Sequence, residues 1–184
     1  IFKIFKKNNI MKIIKTNFKD LIIVKNISYR DNRGYFKELM KENNLKKKFP
    51  FIVMSYSKRN VVRGLHLQIN ESQGKFISVI KGKIFDVALD LRKNSKTFGK
   101  YFTTYIDEKN SNSIYIPPGF AHGFQALNKE NYVVYACTKY RNKNSEISIN
   151  PIDKILKIKW PNKTKIISKK DKKAMSYDRV LKIL

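Results

Sequence analysis

Cysteine is almost missing from this chain. A single Cys137 excludes an intramolecular disulfide, and no run of about 20 apolar residues is present that could cross a bilayer as a helix. The start, Ile1 to Lys7, is basic but lacks the uninterrupted apolar stretch of roughly 7 to 15 residues that a secretory signal needs. These absences lead us to expect a soluble, cytoplasmic protein. Acid is scarce too, with 14 Asp+Glu against 40 Lys+Arg and a net charge of +26. Such an excess raises nucleic-acid or membrane binding as a reading. Against it, the lysines are scattered through every segment and the chain is equally rich in Ile and Asn, the mark of a general compositional bias rather than a selected patch. A positive cleft would also attract a diphosphate, so the charge fits an enzyme of phosphorylated substrates as well.

What is present points to one β-rich domain. At 184 residues, 42% hydrophobic and 12% aromatic, the chain can bury a full core without a second domain. Met11-Lys-Ile-Ile-Lys has the look of a natural translation start, which makes 1–10 an N-terminal extension and 11–184 the domain. We see no internal repeat and no linker. Apolar, β-branched runs recur at short spacing: Phe51 to Tyr56, Asn60 to Gln68, Lys75 to Ile80, Ile84 to Leu91, Tyr101 to Ile106, Ser113 to Ile116, Tyr132 to Tyr140 and Glu146 to Ile149. Many short strands of this kind predict a sandwich or barrel. The clearest hairpin joins Phe76–Ile80 to Ile84–Arg92 through Gly82, which supplies the positive φ of a tight turn. Period-two alternation puts Phe85, Val87, Leu89 and Leu91 on one face of its second strand, and Asp86, Ala88 and Asp90 on the other. One face is core; the other lines something polar. Ser168-Lys-Lys-Asp171 has the form of a capping box ahead of a terminal helix over Ala174–Leu184, and the lysine-rich stretch 162–172 is expected on the surface.

The two histidines sit in unusual surroundings, Val62-Arg-Gly-Leu-His66-Leu-Gln68 and Ile116-Pro-Pro-Gly-Phe-Ala-His122-Gly-Phe124. Histidine is the natural base near neutral pH, although a lone strand histidine is more often structural. In these segments the chain resembles the dTDP-4-dehydrorhamnose 3,5-epimerase family. Further matching pieces, in the same order along the chain, are the runs 31–38, 73–75, 85–92, 95–99, 135–140, 158–161 and 168–171. The resemblance spans Met11 to about Leu184. It implies a mainly β, cupin-like jelly-roll β-barrel with a short C-terminal helix. The implied reaction is cofactor-independent and metal-free: epimerisation at C3 and C5 of a nucleoside-diphosphate 4-keto-6-deoxyhexose, in deoxysugar biosynthesis for surface polysaccharide.

Proton abstraction beside a C4 ketone and reprotonation on the other face need a base, an acid across the ring and a cation for the enolate oxygen. By the resemblance His66 is the base, Asp171 its orienting carboxylate, Tyr135 the proton donor and Lys75 the cation. Arg33, Glu38, Arg63, His122, Tyr140, Arg141, Glu146 and Lys170 fall on substrate-binding positions. The resemblance also implies a homodimer in which Arg33 and Glu38 complete the neighbour's site, with no specific nucleic-acid partner and no membrane.

Read without the resemblance, Asp171 is the N3 carboxylate of a capping box, Tyr135 a half-buried core tyrosine between Val133 and Cys137, and Lys75 one lysine among many. Arg63 and His66, three residues apart, belong on opposite faces of a regular strand, so a shared site demands a bulge at Gly64. The chain departs from the family at Val53 and Ser55, where Gln and Asn usually contact the nucleotide sugar, and at Arg141, where an aromatic residue commonly stacks on thymine. Those changes leave the nucleotide and the exact sugar open, while a planar guanidinium can still stack on a base. Three alternatives remain: a 3-epimerase or isomerase of a related nucleotide sugar using the same pocket; a metal-dependent cupin, which commonly needs a histidine cluster that only His66 and His122 are available to form; and a basic nucleic-acid-binding module.

Overall fold

The computed structural model describes residues 11–110 and 112–184, so the expected extension 1–10 lies outside the described residues. In chain order the elements are β1 (Lys12–Lys15), β2 (Ile22–Lys25), β3 (Ser28–Asp31), β4 (Gly34–Lys37), α1 (Glu42–Leu45), β5 (Phe51–Lys58) and β6 (Val61–Gln68). They continue with β7 (Lys75–Lys81), β8 (Lys83–Asp90), β9 (Tyr101–Asp107), β10 (Asn112–Ile116), β11 (Phe120–Ala126) and β12 (Glu130–Cys137). The chain closes with β13 (Glu146–Ser148), β14 (Ile166–Ile167), α2 (Lys169–Lys172) and α3 (Tyr177–Ile183). One sheet has six strands in the order β1-β2-β10-β7-β12-β5, and the other five in the order β13-β6-β11-β8-β9, with β14 alongside β6 and β3–β4 standing apart as a hairpin. The molecule is a cupin-like jelly roll.

Three apolar layers hold the two sheets. Ile77, Val79, Ile114 and Val133 from the six-stranded sheet meet Ile84, Ala88, Ile106 and Phe124 from the five-stranded sheet between them. Outside the five-stranded sheet, Val62, Leu65, Phe85, Val87 and Leu89 are covered by Leu156, Trp160, Tyr177 and Val180 of the C-terminal segment. Outside the six-stranded sheet, Phe76, Tyr115 and Ala136 are covered by Met11, Leu45 and Phe49. Each fully buried aliphatic side chain in these layers contributes about 1.5 to 3 kcal/mol. The alternation in β8 is therefore sorted between two covered faces: Phe85, Val87 and Leu89 face the C-terminal layer, while Ile84 and Ala88 face the other sheet.

The β7–β8 hairpin turns at Gly82 with φ +89°, and a Cβ there would collide with the carbonyl of Glu130. Several elements differ from expectation. Strands β1 to β4 and β11 do not stand out as period-two runs; β11 is buried along its whole length and carries Gly123 inside it. The long run at Tyr132–Tyr140 is β12, Glu130–Cys137. The terminal helix does not begin at Ala174. Met175 stays extended because its N–H donates to Ser148 O at 3.2 Å and its carbonyl accepts from Asn150 N–H at 2.9 Å. Two short helices result, α2 capped by Ser168 and α3 capped by Ser176.

Candidate active site

The bulge demanded at Gly64 is present. His66 pairs with His122 and Arg63 with Phe124, so three steps along β6 face two along β11. Gly64 takes φ +110°, and a Cβ on it would lie 2.5 Å from Gly123 Cα; only two glycines allow the backbones this approach. The extra residue turns Arg63 and His66 to the same side. Both line a cavity of about 720 Å³ opening between the sheets.

The five-stranded sheet brings two histidines to this cavity, each paired with an aspartate: His66 of β6 with Asp171 of α2, and His122 of β11 with Asp86 of β8 behind it. The acceptor-only carboxylate of Asp171 fixes the proton on His66 Nε2, which donates to Asp171 Oδ1 at 2.8 Å and leaves Nδ1 as the ring's acceptor. Burial works against ionisation of Asp171, but hydrogen bonds from His66, Ser168 and the Gly64 N–H outweigh it and hold the carboxyl below its usual range. Ser168 Oγ accepts the Asp171 N–H at 3.0 Å, so the backbone of Asp171 serves the cap while its side chain reaches the histidine. His122 Nε2 donates to Asp86 Oδ2 at 2.7 Å, and this second pair is deeper, at 5% and 1% exposed. Sequence reasoning missed Asp86 as a site residue. Its signal was there: a carboxylate on the face of β8 that alternation marked as lining something polar.

The six-stranded sheet supplies the opposite wall. Tyr135 on β12 sets its ring edge-on to His122 at 6.1 Å between centroids, and its Oη lies 3.1 Å from Ser55 Oγ on β5. Burial pushes the phenol pKa far up, so Tyr135 holds its proton. Lys75 on β7 lies beside Cys137; burial lowers the amine's pKa and raises the thiol's. Toward the rim, Arg63 Nε donates to Ser57 Oγ at 2.9 Å. Arg141 and Lys170 both grip Glu146, with Arg141 Nη2 at 2.7 Å from Oε2 and Lys170 Nζ at 2.7 Å from Oε1. Burial would raise the Glu146 pKa, but Lys170 and Arg141 together bring it below its usual value.

Of the twelve residues named from the sequence, His66, His122, Tyr135, Asp171 and Lys75 thus meet in one cavity with Arg63, Arg141, Glu146 and Lys170. Tyr140 lies beside it, 67% exposed, its ring 5.8 Å from that of Phe51. Arg33 and Glu38 are elsewhere: Arg33 is on the β3–β4 hairpin, paired with Asp31 at 2.6 Å, and Glu38 pairs with Lys41 at 2.7 Å. Among the described residues no group of three His, Cys, Asp or Glu is arranged to hold a metal ion. Val53 lines the cavity and Ser55 turns to Tyr135. What this arrangement can do is move protons on and off a carbon held between two walls.

Comparison with known proteins agrees with that chemistry. The family model described as dTDP-4-dehydrorhamnose 3,5-epimerase matches residues 15–179. The dTDP-4-dehydrorhamnose 3,5-epimerase of Methanothermobacter thermautotrophicus is 41% identical over 169 residues, covering 88% of this chain and 91% of that protein. A solved structure from Legionella pneumophila, in complex with dTDP-4-keto-L-rhamnose, superposes with a TM-score of 0.86 at 38% identity, covering 90% of this chain and 92% of that one. Another, from Bacillus anthracis with TDP and pyrophosphate bound, gives a TM-score of 0.87 at 34% identity over 91% and 99% of the two chains.

Proposed function

Since the chain belongs to the dTDP-4-dehydrorhamnose 3,5-epimerase family, we propose that it inverts C3 and C5 of dTDP-4-keto-6-deoxy-D-glucose by proton transfer between two facing walls. The observation that carries the reading is the division of acid and base between the sheets. His66, backed by Asp171, projects from the five-stranded sheet, and Tyr135 from the six-stranded one. A sugar ring held between them meets a base on one face and a proton donor on the other, which is what inversion requires.

His66 Nδ1 takes the proton from the carbon beside the C4 ketone, and the imidazolium that forms is stabilised by the Asp171 carboxylate. Charge then develops on the ketone oxygen, where Lys75, a cation in a sparsely solvated wall, stabilises it. Tyr135 returns a proton from the opposite face. Arg63, Lys170 and Arg141 form a basic rim suited to the diphosphate, and Glu146 keeps the last two in place in its absence.

Arg33 and Glu38, which do not line the cavity of their own protomer, act in this reading on that of a second copy. The exposed apolar row Ile52, Met54 and Tyr56 on edge strand β5 supports a dimer. The free Cys137 fits a reducing compartment such as the cytoplasm. The test is incubation with dTDP-4-keto-6-deoxyglucose in D2O, followed by NMR. Deuterium is expected at both C3 and C5 with formation of the L-configured product; no entry of deuterium at either carbon would overturn the reading.

A further inference from the structure

Along strand β5, Val53 lines the cavity, Ser55 is half-buried and Ser57 buried, while Ile52, Met54 and Tyr56, which alternate with them, stand exposed on the other side. Each of the two serines holds one side chain of the site. Ser57 Oγ accepts from Arg63 Nε at 2.9 Å, and Ser55 Oγ lies 3.1 Å from Tyr135 Oη. Among the described residues Ser55 is the sole hydrogen-bond partner of that phenol.

We infer that Ser55 is a positioning residue for proton return, donating its hydroxyl hydrogen to Tyr135 Oη so that the phenolic hydrogen is left aimed at the sugar. The inference rests on the epimerase reading above. The direction of the bond follows from the chemistry. Were Tyr135 to donate to Ser55, its proton would be turned away from the carbon it must reach. With Ser55 as donor, the Tyr135 O–H bond breaks as the new C–H bond forms, and the phenolate left behind already accepts one hydrogen bond. Water takes the proton from His66 and returns one to the phenolate after each of the two inversions, at C3 and at C5. Burial makes an unsupported phenolate costly at this position, which is why one donor there matters. His66 lies on the other sheet, so the bond serves the second proton transfer and leaves the first untouched.

The test is Ser55→Ala beside Ser55→Thr, with wild type as the control for the epimerase reading itself. If wild type does not turn over the nucleotide sugar, that reading fails; if it does, the variants judge Ser55 alone. Ser55→Ala is expected to lower kcat about tenfold, the size of one hydrogen bond lost in the transition state, with KM within about twofold. Deuterium exchange at C3 and C5 should stay within about twofold of wild type, and Ser55→Thr should restore most of the turnover. In a Tyr135→Phe background, Ser55→Ala should change nothing further. Turnover unaltered by Ser55→Ala, exchange and turnover falling together, or an added loss in the Tyr135→Phe background would each overturn the assignment. Circular dichroism of Ser55→Ala checks its fold; should it be unfolded, Ser55→Thr against Ser55→Val decides by the same readouts.

Discussion

Replacing Asp171 by Asn tests the dyad with little change of shape. The carboxylate oxygen lies 2.8 Å from His66 Nε2, which puts the charge centres about 4 Å apart once His66 is protonated. At an effective dielectric of about 20 that attraction is ~4 kcal/mol, an upper bound. The His66 side chain is 31% exposed, so solvent screens the pair. We take about half, ~2 kcal/mol, as the lower figure. The cap is kept because Ser168 Oγ accepts from the backbone N–H of residue 171. An amide, however, offers one acceptor oxygen to both His66 and the Gly64 N–H, and turns an N–H₂ toward groups that donate. The expected result is a kcat lower by about 30- to 1,000-fold, with KM near wild type and deuterium exchange falling in step, because the lost interaction appears when the imidazolium forms. Turnover is read by NMR on the nucleotide sugar. A kcat within about threefold of wild type, in a folded protein, would refute the argument that Asp171 supports the base.

Tyr135→Phe should behave differently, keeping measurable exchange at C3 and C5 while inverted product falls by about 10² to 10⁴, because the base and the Lys75 cation survive. Activity should persist after exhaustive dialysis against EDTA; its loss and recovery with a divalent ion would contradict a metal-free reaction. Asp90 is a stability prediction: burial opposes its charge, yet hydrogen bonds from Arg92, Ser95 and Thr97 lower its pKa from 3.8 to about 2, a contribution of ~2 kcal/mol. Since the folded pKa is depressed, that contribution is complete above about pH 5 and is lost as pH falls toward 2; urea midpoints should show this acid loss in wild type and a flatter profile, lower at neutral pH, in Asp90→Asn.

Sequence pattern reached the elements that have one covered face or a turn with a single chemical solution. The β7–β8 hairpin is legible because Gly82 must take a positive φ and because Phe85, Val87 and Leu89 repeat at period two. Strand β11 is hidden for the opposite reason: buried on both faces, it has no alternation to read, and Gly123 inside it mimics a turn. Strands β1 and β2 are four residues each and take their register from β10, a partner far along the chain. The break between α2 and α3 was equally out of reach, since Met175 is kept extended by Ser148 and Asn150 rather than by any local preference. In the site, Asp171 shows how two competing local readings are both satisfied, cap by the backbone and dyad by the side chain. Asp86 shows the limit. Alternation gave its direction but not that His122, on a neighbouring strand, would meet it.

The two His–Asp pairs pose a choice that hydrogen bonding alone does not make. His66 and His122 face each other across β6 and β11, and each commits Nε2 to a carboxylate within 2.8 Å. Burial separates them. The His66 side chain is 31% exposed, against 5% for His122, and Asp86 keeps Oδ1 buried without a protein partner. A base that equilibrates its proton with water during turnover must be reachable from water, and His66 is. His122 is packed edge-on to Tyr135, so the deeper pair borders that phenol while His66 lines the cavity with more of its ring open to water. In this reading exchange begins with proton removal by His66, and a protein with His66→Ala should lose exchange at C3 and C5 even though a second histidine–carboxylate pair of nearly the same geometry lies one strand away. Exchange at the wild-type rate in that variant would mean that accessibility is not what selects the base.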